Sequence, residues 1–218
     1  MNIFFGFVVS VIYIVIIMIC GIVFEKAGKE ASRKFIHIML ANWWIIAMVF
    51  FTGPVTAAIL PGAFIIINYL SYKNNIIKVM ERDEGDSNKD SLGTVYYAIT
   101  LFVLAIVTFG PLKNPLIGLV GVAAMGYGDG LAAVIGQALE SPKFKIFGST
   151  KSVAGCAAMF VVSLMIMAGF LWYSQADYVA VKSIIAAAAL TAAEACSIKG
   201  TDNLSVPLLA SVLAFILV

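Results

Sequence analysis

Few side chains in this sequence can ionise within an apolar run, and those few are where chemistry is expected. Asp129 stands in "AAMGYGDGLAAVIG", among glycines and aliphatic residues. An acid held in such a setting is costly in a membrane and marks a functional position. His37, the only histidine, follows Arg33 and Lys34 in "SRKFIH". Arg33 and His37 are an i, i+4 pair and share one helix face. A planar guanidinium suits phosphate, and an imidazole can accept a proton near neutrality. Glu194 closes the apolar run "LTAAEAC", and Asp202 and Asn203 follow shortly after in "KGTDNL". Carboxylates, cations and one imidazole make up the inventory of a metal–phosphate site. Mg²⁺ is usually held by one or two carboxylates together with phosphate oxygens. Phosphoryl transfer needs charge neutralisation, in-line positioning and a group that takes the nucleophile's proton.

Two further stretches fit that inventory. Gly126, Gly128, Gly130 and Gly136 flank Asp129 and let a backbone or a ligand approach closely. The next segment, "ESPKFKIFGSTKSVAGC", is basic. Its Lys143, Lys145 and Lys151 can neutralise a polyphosphate, and residues 148–152, ending at Ser152, can present backbone amides to it. It is not a P-loop, because "FGSTKS" lacks G-x-x-x-x-G-K-S/T and no strand is expected before it. The acidic stretch "ERDEGDSNKD" is read as a solvated linker. Glu81, Asp83 and Glu84 within it are the sharper alternative, a metal or nucleotide contact.

The elements that must position these residues are membrane helices. The 218 residues are 62% hydrophobic and only 12% charged, where a soluble domain carries about 25% charged residues. Eight apolar segments are expected, at about 3–24, 35–51, 54–70, 92–109, 115–139, 152–173, 178–196 and 204–218. The first has no basic leader and no cleavage site, so it is expected to stay as a helix. Of the 14 basic residues, 12 fall on odd-numbered loops, with only Lys113 and Lys182 on the even ones. The positive-inside rule then places the odd loops in the cytoplasm and both termini outside. His37, Asp129, Glu194 and Asp202 all come to the cytoplasmic side. The expectation is a single all-α, polytopic domain over 1–218 in the cell membrane, with no internal repeat. The three cysteines, Cys20, Cys156 and Cys196, show no metal-binding spacing and are read as free thiols.

Five segments, in order, resemble the CTP-dependent lipid kinases, a family that comprises dolichol kinase, phytol and farnesol kinases and fungal-type diacylglycerol kinase. Ser32–His37 is similar to R-K-x-x-H, and Gly93–Leu101 to the G-P-L-Y-Y segment of phytol kinases. Gly128–Gly136 is similar to G-D-G-x-A-D-x-x-G, Ser149–Phe160 to K-S-x-A-G-S-x-A-M, and Thr201–Leu208 to D-D-N-L-T-V-P. Ala154-Gly155, where dolichol kinases and cytidylyltransferases tend to carry Glu-Gly, favours the phytol-kinase-like branch. The chain departs from the pattern at Ala133, where relatives carry a second acid, and in "GQALESPK", which lacks the usual arginines. Glu194 or Asp202 is the candidate substitute for that acid, and Lys143 or Lys145 for the arginines.

The resemblance implies transfer of the γ-phosphate of CTP to a membrane isoprenoid alcohol: phytol, geranylgeraniol, farnesol or a polyprenol. It implies that Asp129 binds Mg²⁺, with Glu194 and Asp202 as further ligands. Arg33, Lys34, Lys145 and Lys151 would neutralise the phosphates. Gly128, Gly130, Ser152 and Asn203 complete the nucleotide site. His37 or Asp129 accepts the hydroxyl proton. The partners expected are CTP, the lipid alcohol and the bilayer. No nucleic-acid partner is expected, and a homodimer stays open because Gly118 and Gly121 do not form GxxxG.

Two alternatives belong beside this. One is a diacylglycerol kinase or a cytidylyltransferase acting on phosphatidate, which would release pyrophosphate. The other is a transporter or channel, since Gly126–Asp129 resembles the heart of a K⁺ filter. Ala124-Met125 replaces the filter's Thr-Val, and transporters bind at the midplane between repeats rather than at one face.

Overall fold

The computed structural model describes residues 2–74, 92–147, 149–198 and 200–218. Among these, the chain forms ten α-helices and one small hairpin. They are α1 (Ile3–Phe24), α2 (Lys29–Ala41), α3 (Trp43–Phe50), α4 (Pro54–Asn74) and α5 (Gly93–Phe109). Then come α6 (Pro115–Ala123), α7 (Gly130–Ala138), β1 (Lys143–Ile146), β2 (Ser149–Ser152), α8 (Val153–Tyr173), α9 (Val179–Cys196) and α10 (Asp202–Leu217). A π-helical turn, Ala124–Asp129, joins α6 to α7 and keeps them one rod of 24 residues.

Each of the eight apolar segments corresponds to a helix or to two consecutive helices. Six are long and apolar enough to cross a membrane, and Gly93–Phe109 and Asp202–Leu217 are shorter apolar helices. The chain is a polytopic, all-α membrane protein. Its outer surface is what lipid requires: Val55, Trp172 and Phe4 are 69%, 79% and 74% exposed, which water would penalise and hydrocarbon does not.

Three details differ from the expected elements. The second helix starts at Lys29, six residues early, so Arg33 and Lys34 lie inside it. That helix breaks at Asn42, where α3 begins. The basic segment after α7, expected without strands, is an antiparallel hairpin with Lys143 opposite Ser152 and Ile146 opposite Ser149. Its strands are four residues each and carry polar side chains, too short and too mixed to announce themselves against helices of twenty.

Helix packing is close because small residues line the seams. A Cβ on Gly121 would sit 2.5 Å from the Pro207 carbonyl oxygen, and one on Gly126 would sit 2.3 Å from the Ala41 Cβ. One core gathers around Trp44 from α2–α5, and a second joins α6 to α8, α9 and α10. Trp44 is fully buried and its Nε1 donates to the Pro115 carbonyl at 2.9 Å, tying α3 to the start of α6. The π-helical turn passes between α2, α8 and α10. Extra turns of this kind are often found at functional sites.

Candidate active site

Asp129 closes the π-helical turn, facing α2. Lys34 Nζ donates to its Oδ2 at 2.7 Å, and His37 Nε2 stands 3.5 Å from the same oxygen. Lys34 and Asp129 are both buried. A buried charge persists only when paired and hydrogen-bonded, and 95 residues separate this pair. The Nε2 of His37 also faces the Met125 carbonyl at 3.3 Å. A carbonyl only accepts, so this contact assigns the hydrogen to Nε2, and in the neutral form of the ring the lone pair is on Nδ1. Tyr97 holds this part of α2 from the other side: its ring meets the imidazole edge-on at 4.9 Å, and its hydroxyl donates to the His37 carbonyl.

A second ion pair lies beside the first. Lys151, on β2, donates to Glu194 near the end of α9. The end of a helix is where its dipole disfavours a carboxylate, so Glu194 does not serve the helix, and Lys151 offsets its charge. Burial opposes the charge on Lys151. Glu194 beside it, and Asp202 and Asp129 further off, outweigh that and hold the ammonium pKa above the ordinary lysine value. Asp202 opens α10, where the dipole favours an acid. Asp129, Glu194 and Asp202 each offer a carboxylate oxygen, and these oxygens lie within 4.8 Å of one another. An all-oxygen set of three acids with the chemistry of hard-cation ligands fits Mg²⁺.

These groups line a polar cavity of about 430 Å³. Four cations, Arg33, Lys34, Lys143 and Lys151, face four acids, Glu30, Asp129, Glu194 and Asp202. Glu30 escaped the sequence reading. It takes three hydrogen bonds from Arg33, at 2.9, 2.5 and 2.7 Å, and the i, i+3 spacing could have revealed it. Ser152 lines the cavity as the N-cap of α8, its Oγ accepting from the Gly155 N–H. The next amides are also occupied. Val153 N–H donates to the Pro142 carbonyl, and Ala154 N–H donates to Ser141 Oγ. The amides of Val153, Ala154 and Gly155 are therefore taken up within the protein, and the charged groups facing the cavity are side chains. Gly148 itself, and Glu81, Asp83 and Glu84, lie outside the described residues.

Several expected nucleotide contacts sit elsewhere. Gly128 and Gly130 do not line the cavity. A Cβ on Gly128 would meet Met159 Sδ at 2.7 Å, and one on Gly130 would meet Ile38 Cγ1 at 2.4 Å, so both serve helix packing. Lys145 is exposed on β1, and it is Lys143 that reaches the cavity wall. Asn203 faces a different space. Its Nδ2 donates to the Gly93 carbonyl at 3.0 Å and its own carbonyl accepts from Thr100 Oγ1 at 2.6 Å, pinning α10 to α5.

That other space is an apolar cavity of about 390 Å³ bounded by α1, α2, α3, α4 and α5. Arg33 lines both cavities, and His37 lines the apolar one while touching Asp129 of the polar one. The site is thus a polar chamber and an apolar chamber meeting at one arginine and one histidine–aspartate contact.

No family model and no solved structure matches the chain. Curated proteins do. A phytol kinase from Synechocystis sp. is 31% identical over 193 residues, covering 85% of this chain and 78% of that protein. A probable chloroplastic phytol kinase from Triticum aestivum is 28% identical over 208 residues, covering 87% and 68%. Phytol kinase 1, chloroplastic, from Arabidopsis thaliana is 31% identical over 209 residues, covering 85% and 66%. With the Synechocystis likeness spanning most of both proteins, the chain belongs to the phytol kinase family.

Proposed function

We propose that this protein transfers the γ-phosphate of CTP to the hydroxyl of a membrane isoprenoid alcohol, giving the alcohol monophosphate and CDP. The observation that carries the reading is the junction of the two chambers at Arg33 and at the His37–Asp129 contact. A charged triphosphate and an apolar alcohol must meet at one point, and few other reactions ask for that pairing. The names of the relatives supply the substrate class.

Each residue then has a physical task. Lys151, Lys34, Lys143 and Arg33 neutralise the phosphates in the polar chamber. Asp129, Glu194 and Asp202 would hold Mg²⁺, which supplies charge neutralisation at the phosphate oxygens when bound. His37 takes the proton. Its Nε2–H is committed to Met125, so Nδ1 accepts from the alcohol. The alcohol oxygen bonds to the γ-phosphorus as the bond from the bridging β–γ oxygen breaks. The leaving CDP keeps that electron pair. Asp129 orients the ring and offsets the imidazolium that forms. The bias of basic residues toward the odd loops supports a cytoplasmic position for this chamber at the cell membrane.

Product analysis separates this from nucleotidyl transfer. Purified protein, Mg²⁺, phytol or geranylgeraniol and CTP should yield CDP and a lipid monophosphate, and a chelator should stop the reaction. Release of pyrophosphate with a cytidine-bearing lipid would overturn the reading.

A further inference from the structure

The apolar chamber has a direction. Its walls read consistently along four helices, from a polar end near Arg33, Asn68, Ser71 and Gly93 to an apolar end at Ile14, Trp43, Leu60 and Leu101. At 1.5 Å per helical residue, the lining run is about 12 Å long on α1 (Ile14 to Ile22) and on α5 (Gly93 to Leu101), and about 18 Å on α4 (Leu60 to Tyr72). Its volume, about 390 Å³, lies near the low end of small-ligand sites, roughly 300–1,000 Å³. An extended chain advances about 1.2 Å per bond, by analogy with the three backbone bonds of a residue. The chamber therefore takes about 10–15 main-chain bonds of a single tail, or about three to four isoprene units.

The chamber also has a side. α1 packs on α2 and α3, and α4 packs on α5, while α1 and α4 share no extended seam. Between them, Val15, Ile19 and Ile22 line the chamber and are also exposed toward lipid. The far end is firm. Trp43 is 3% exposed and meets Trp44 edge-to-face. Among the described residues its Nε1 has no hydrogen-bond partner, so removing the indole takes away volume without orphaning an acceptor there.

Resting on the kinase reading above, the geometry points to a tail-length gauge: the acceptor enters sideways from the bilayer between α1 and α4, and Trp43 sets the longest tail admitted. The occupant is a single-chain alcohol of three to four isoprene units. Diacylglycerol, with two tails, and long polyprenols are excluded.

Two readouts on protein in lipid nanodiscs test this. One is thermal stabilisation by alcohol without nucleotide, and the other is kcat/KM for phosphate transfer. The panel is geraniol, farnesol, geranylgeraniol, phytol, a long-chain polyprenol and diacylglycerol. In the wild type both readouts should peak from farnesol to geranylgeraniol and phytol, with the polyprenol and diacylglycerol at least tenfold poorer. Trp43→Leu should raise the relative kcat/KM for the polyprenol about tenfold or more, the scale of a changed apolar contact. Ala98→Leu, which fills the chamber from the α5 wall, should move the optimum toward geraniol. An unchanged length profile in both variants, or a wild type that favours diacylglycerol or the polyprenol, would overturn the gauge. Should Trp43→Leu fail to fold, the wild-type profile and Ala98→Leu still decide. Length-dependent binding without any transfer would overturn the kinase reading and leave the gauge standing. Transfer without length dependence would do the reverse.

Discussion

His37 and Asn203 divide what single residues do here. His37 is the only imidazole, and it sits where the two chambers meet. If it takes the hydroxyl proton, His37→Ala should lower kcat by about 10²–10⁴-fold, while KM for CTP stays within a few-fold of wild type. A large rise in KM with kcat preserved would make it a binding residue instead. Asn203 looks like a nucleotide contact in the sequence, yet its side-chain amide holds α10 to the Gly93 carbonyl. Asn203→Ala should therefore cost about 1 kcal/mol of stability, one net hydrogen bond, and leave KM for CTP unchanged. Asp129, Glu194 and Asp202 were legible because charges are rare in this chain and each stands in an apolar or helix-ending setting. Their meeting within 4.8 Å is a tertiary fact that spacing in sequence does not contain.

At the scale of elements, hydrophobic run length located every apolar helix, since lipid leaves the backbone little choice but to close its own hydrogen bonds. The same signal was silent about direction. That Lys143 rather than Lys145, two residues on along the same strand face, reaches the cavity wall, and which neighbour fills the space beside Gly128, depend on packing partners far away in sequence. The glycines near Asp129 were read as room for a backbone or a ligand: Gly126, Gly128 and Gly130 are room for α2 and α8, and Gly136 lines the polar cavity. Gly126→Ala tests that assignment against a control. Its Cβ would press on the Ala41 Cβ, a short group that cannot rotate away, so a loss of about 1–3 kcal/mol is expected in thermal melts. Gly169→Ala has nothing within 4 Å and should gain stability, by up to about 1 kcal/mol of helix propensity. Equal melting shifts in the two variants would argue against glycine-dependent packing at the π-helical turn.

For the whole molecule, the proposed reaction needs the polar chamber and the apolar chamber to open on each other at one membrane face. The molecule's orientation is open to a direct check. On a cysteine-free background, Lys145→Cys in the hairpin should react with impermeant thiol reagents only from the cytoplasmic side, and Lys113→Cys only from the opposite side. Both positions are exposed. Labelling of both from one side would remove the topology. The central claim is phosphoryl transfer organised around Asp129, and the most direct measurement follows the label of γ-phosphate-labelled CTP in proteoliposomes containing an isoprenoid alcohol. Label is expected in the alcohol monophosphate with wild-type protein, with a loss of about 10²–10³-fold for Asp129→Asn, the scale of one electrostatic group removed from around the reacting phosphate. Full transfer by Asp129→Asn, or no label in the lipid with the wild type, would contradict it.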